Sequence, residues 1–173
     1  MKKNLLFIFL LTLIGNTNYG QATTKDLFKI FKKSIRQENR EKVSVGSNPW
    51  IICNRDSAYF NSDTLVMHND NSYYDKSKCC DFIEWTFYRK NAFYFGKKKM
   101  CPGIPQEVVD KENRWFTLRK IKLEKVEALE LLEKGKIVDR FKLLSIKKIL
   151  GGRDLNSGQN LDSYPVVTLV RIR

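Results

Sequence analysis

The 173-residue sequence predicts a mainly β fold: an antiparallel meander forming a small barrel or strongly curved sheet, with one N-terminal amphipathic helix. Three observations carry this. About eight short runs are rich in branched and aromatic residues, turn-forming residues separate them, and nowhere do strand and helix patterns alternate as a parallel sheet requires.

The first twenty residues open with Lys2 and Lys3, run apolar from Leu5 to Ile14 and end in the small, polar stretch Gly15 to Gly20. That is the layout of a secretory signal peptide, and the apolar run is far short of the roughly twenty residues that cross a bilayer. The expectation is cleavage after Gly20, leaving one β-rich domain over residues 21–173 with no transmembrane anchor. The product is then exported, secreted or periplasmic.

In that domain, Leu27, Ile30, Phe31 and Ile35 fall on one side of a helix over residues 24–38, with Lys25, Lys29, Lys32, Lys33 and Arg36 around the rest. Thr23 and Asp26 form its capping box. Trp50 to Cys53, Ala58 to Phe60 and Thr64 to His68 read as short strands, and residues 69–71 and 75–78 as loops. Residues 115–123 and 137–146 continue the strand pattern; 126–134 fit either a helix carrying Val126, Leu129 and Leu132 and ended by Gly135 or a strand, and the short gap before the β-rich 137–146 favours strand. The last strand, Tyr164 to Ile172, carries Pro165, which belongs at a strand start or an edge.

Residues 81–88 and 93–99 read as a hairpin with a four-residue turn, Arg89 to Ala92. If Tyr88 faces Phe93, then Glu84 faces Lys97, Trp85 covers Gly96, and Cys80 comes opposite Cys101. An even cysteine count in an exported chain favours disulfides, so Cys80 pairs with Cys101 and, by elimination, Cys53 with Cys79. Each bridge contributes roughly 3 kcal/mol on the chain-entropy model. Adjacent cysteines with a lone distant histidine do not match zinc spacing.

No catalytic constellation is legible, and no cofactor or metal is expected. His68, the one histidine, sits at the end of a strand whose other face carries Leu65 and Met67. Asp81 and Glu84 fall on opposite faces of their strand. Residues 151–162 resemble a calcium or phosphate loop only in part and read as a connection.

Aromatics crowd residues 73–95. Ile83, Trp85 and Phe87 face one way, Phe82, Thr86 and Tyr88 the other, so both faces need covering: a barrel interior on one side and the N-terminal helix on the other would do this. Trp85, Phe87, Tyr94 and Phe95 are candidates to line a ligand concavity. The net charge of +13 falls to +11 once Lys2 and Lys3 leave, and Lys97, Lys98 and Lys99 are its densest cluster. Export excludes an intracellular nucleic-acid target.

The reading is therefore an exported, non-enzymatic binding module for a small apolar ligand or an anionic envelope component. The first alternative is a protein-interaction or inhibitory module whose basic surface meets an acidic protein. A hydrolase centred on His68 or a carboxylate is the least supported.

Overall fold

The computed structural model describes residues 22–35, 48–101, 107–108, 114–153 and 159–173. Helix α1 (Thr24–Lys33) precedes β1 (Trp50–Cys53), and a single 3-10 turn (Arg55–Ser57) leads into the short α2 (Ala58–Asn61). Then come β2 (Thr64–His68), α3 (Ser72–Lys76), β3 (Asp81–Arg89), β4 (Ala92–Lys99), β5 (Glu107–Val108), β6 (Arg114–Leu123), β7 (Val126–Glu133), β8 (Lys136–Arg153) and β9 (Asn160–Arg171).

Eight strands close an antiparallel barrel in the ring order β1-β2-β9-β8-β7-β6-β4-β3, and β5 adds to the end of β4. From β3 to β9 the ring is a meander. Between β2 and β3 the chain instead steps across β1, which pairs with both. Two hairpins have two-residue turns, Glu124–Lys125 and Lys134–Gly135, with positive φ at both central residues, as type I′ turns require.

Alternation sends one residue in two into the barrel. Trp50, Trp85, Phe87, Phe93 and Phe141 are wholly buried there, with Trp85 stacked on Phe93 at 4.3 Å. Helix α1 crosses one end and inserts Leu27 and Phe31, the latter stacked on Phe87 at 4.1 Å and edge-on to Trp50 at 5.1 Å. Tyr59 of α2 plugs the other end and accepts a hydrogen bond from Trp85 Nε1 at 3.3 Å. An eight-stranded barrel is just wide enough for side chains to fill, and here they do.

Several sequence expectations need correction. The β3–β4 register is one residue off: the turn is only Lys90 and Asn91, and a bulge leaves Tyr88 unpaired between the Arg89–Ala92 and Phe87–Phe93 pairs, so Glu84 faces Gly96 and Trp85 faces Phe95. Residues 58–60 are helical rather than extended, and 72–76 form α3 rather than part of a loop. Helix α1 enters the barrel end instead of covering the outer face of β3. That face is covered by α3, where Tyr74 and Cys79 bury Phe82 and Ile51. The hairpin of β8 and β9 runs on to Arg153 and Asn160, so much of residues 151–162 is strand; 154–158 lie outside the described residues.

The cysteines pair as Cys53 with Cys79 and Cys80 with Cys101, with Cα separations of 5.8 and 4.7 Å. The slipped register sets Cys80 beside Met100, whose N–H donates to its carbonyl at 2.8 Å, and Cys101 follows just beyond the strand.

Candidate binding site

The capping box of Thr23 and Asp26 starts α1, and Thr24 donates its N–H and hydroxyl to Glu127 on β7, at 3.3 and 2.6 Å. The Lys120 ammonium and these bonds from Thr24 hold the Glu127 carboxyl down at about 2. At the other end of the helix, Ser34 Oγ donates to Phe31 O at 2.7 Å and accepts from Trp50 Nε1 at 3.1 Å. The helix is therefore fixed at both ends. With Leu27 and Phe31 pointing inward, Lys29, Lys32 and Lys33 must point away from the barrel.

The β3–β4 turn approaches that same end. Asn91 ties it to β6 by accepting from Leu118 N at 2.7 Å and donating Nδ2–H to Leu118 O at 3.2 Å. The bulge brings Tyr88 and Arg89 round toward the helix. Between the two elements lies a cleft of about 890 Å3, lined by Lys29, Lys32 and Lys33 from α1, Arg89 and Lys90 from the turn, and Ile35 and Tyr88. Lys29 pairs with Asp26 at 3.3 Å, and Arg89 lies 5.9 Å over the Tyr88 ring. No acidic side chain is among the described lining residues.

The four aromatic candidates separate. Trp85, Phe87 and Phe95 are core residues, buried at 0, 0 and 2% exposure. Phe95 alone reaches a smaller cleft of about 360 Å3 at the Tyr59 end, whose Arg171 is occupied by Asp139 and the carbonyls of Tyr59 and Ser62. Tyr94 lies on the outside of the barrel against Trp115, a residue that the strand pattern gave no reason to single out.

Lys97, Lys98 and Lys99 line a third groove, of about 500 Å3, together with Asp56 and Asp81. Lys98 is half-buried over Tyr74 at 4.2 Å and pairs with Glu84 at 3.9 Å, replacing the expected Glu84–Lys97 pair. The predicted basic surface is thus largely charge-balanced, and the unbalanced one is at α1. His68 stacks on Tyr73 at 3.8 Å, while Ser72 Oγ donates to Asp70 rather than to the imidazole.

Compared with protein-family models, curated proteins and solved structures, the chain finds no match in any of the three.

Proposed function

We propose that the protein is an exported, non-enzymatic binding module that holds an anionic component of the cell envelope at the α1 cleft. The observation that carries the reading is the lining of that cleft: five cations and no described acid in about 890 Å3, a volume typical of ligand sites. A concave, low-dielectric wall lined by one sign of charge focuses its field on incoming ions of the other sign.

Export is supported by the leader-like residues 1–20 and by two cysteine pairs, which persist in oxidising compartments. Among the described residues no helix is long and apolar enough to cross a membrane. An anion is favoured over an apolar ligand because aromatic side chains already fill the barrel. The Lys97–Lys99 groove has a weaker claim, since Asp56 and Asp81 share it.

The test compares two variants of equal net charge on a sulfated-dextran column. Lys32→Glu/Lys33→Glu/Arg89→Glu/Lys90→Glu is expected to elute at much lower salt than Lys76→Glu/Lys78→Glu/Lys147→Glu/Lys148→Glu. Identical elution would mean that only net charge matters and would remove the site.

A further inference from the structure

Tyr88 takes part in two features. Its ring borders the cationic cleft, and it also meets Trp115 edge-on at 5.2 Å. Tyr94, opposite Trp115 on the β4–β6 ladder, contacts the same indole at 5.5 Å. Three adjacent strands therefore set an aromatic cluster on the outer wall, and Trp115 keeps 39% of its surface in water. Trp50 and Trp85, by contrast, are wholly buried. Thr86 stands opposite Tyr94, and Thr117 shares the outward face with Trp115.

We propose that this wall binds an acidic saccharide. A sugar ring stacks on Trp115 between the tyrosines and threonines, while its carboxylate or sulfate groups reach the cations of the adjoining cleft. The proposal rests on the anion-binding reading above and names its ligand class. A pyranose has a flat C–H face and a rim of hydroxyls, which suits an open aromatic surface with polar neighbours. An acyl chain would lie along side chains that each end in a cation, since Ile35 and Tyr88 are the only described lining residues without one. Single-stranded nucleic acid needs rings on which successive bases can lie. Here Tyr88 and Tyr94 are half-buried and turned edge-on to Trp115, at 90° and 65°, so Trp115 offers a single exposed platform rather than a run of them.

The experiment titrates the exported protein with trigalacturonate, and in parallel with tripolyphosphate as a sugar-free anion, by calorimetry. Acrylamide quenching reads the exposed Trp115 against its two buried counterparts. Trigalacturonate is expected to shield Trp115, and Trp115→Ala to weaken its binding about tenfold, the size of one lost stacking contact. Trp115→Phe should restore most of that loss, and tripolyphosphate should bind the wild type and Trp115→Ala alike. Arg89→Glu/Lys90→Glu should abolish both.

If Trp115→Ala leaves trigalacturonate affinity unchanged while the charge reversal abolishes it, the saccharide proposal falls and the anionic cleft stands. If neither anion binds the wild type, both readings fall. Tighter binding to phosphatidylglycerol vesicles or to oligothymidylate than to trigalacturonate would overturn the proposal in favour of a lipid or a nucleic acid.

Discussion

His68 is half-buried, its ring flat against Tyr73 and 6.1 Å from Tyr164, and its Nδ1 has no hydrogen-bond partner among the described residues. Burial pushes its pKa from the ordinary 6.5 down to about 4, against an opposing pull from Asp70. The charged and titratable groups around it are Asp70, Tyr73 and Tyr164, and burial raises both tyrosines above their ordinary 10.0, so neither titrates in the same range as His68. Between these two pH values the unfolded chain takes up a proton that the folded chain refuses, so stability falls as pH drops from 6.5 toward 4 and the loss levels off below. His68→Phe keeps the stacking and cannot be protonated. Between pH 7 and 4.5 the urea midpoint of the wild type should fall further than that of His68→Phe, and parallel curves would disprove the assignment. At this scale the sequence was partly legible. Alternation in β3 placed Trp85 and Phe87 on the inner face and Tyr88 on the outer. It said nothing of Trp115, whose exposure depends on which strands flank β6.

The β3–β4 hairpin shows how a single residue moves an element. Local pattern identified both strands, but a bulge costs one residue of register and leaves no composition signal at a tyrosine. The slip matters because it turns Tyr88 and Arg89 toward α1. Strand β8 shows the opposite error, since Gly151 and Gly152 read as loop. Gly152 pairs with Leu161 in the ladder, and the position needs glycine because a Cβ there would come within 2.8 Å of the Tyr164 ring and 3.3 Å of the Asp70 carboxyl. Pro165 fits its expected edge position, one residue past the last β2–β9 pair, Val166 with His68. The β7–β8 ladder ends at Phe141, so beyond it the β7 side of β8 has no ladder partner among the described residues, and Leu144 and Leu150 are 59 and 87% exposed there. Lysines blunt such edges against pairing with other chains. Lys147→Val/Lys148→Val should therefore make the protein self-associate in sedimentation at concentrations where the wild type is monomeric, and an unchanged sedimentation profile would show that the edge is protected by other means.

Over the whole molecule, aromatic density foretold a filled core, and strand count with antiparallel patterning foretold a barrel. The binding cleft was not legible, because it joins a helix near residue 30 to a turn near residue 90 and no local period connects them. The cysteine pairs act at this scale too. Cys79 is buried with Tyr74, Ile51 and Phe82 in the outer layer, whereas Cys80 and Cys101 are half-buried at the hairpin mouth. Both pairs close loops of similar length, with sequence separations of 26 and 21. Removing either should cost about 3 kcal/mol, a fall in Tm of roughly 6 to 12 °C. Cys53→Ser/Cys79→Ser should fall further than Cys80→Ser/Cys101→Ser, because it also places hydroxyls in an apolar layer. Equal melting temperatures would show that the outer layer adds nothing.

The pairing of β2 with β9 sets the timing of folding. Thr64 meets Val170 and His68 meets Val166, so the ring closes only when β9 has been synthesised. Until then β1 and β2 hang from β3 with one edge open, and joining segments about a hundred residues apart carries a high loop-closure cost. A chain built this way stays threadable through most of its synthesis. It acquires its plugged, aromatic-filled form late, after β9 has emerged.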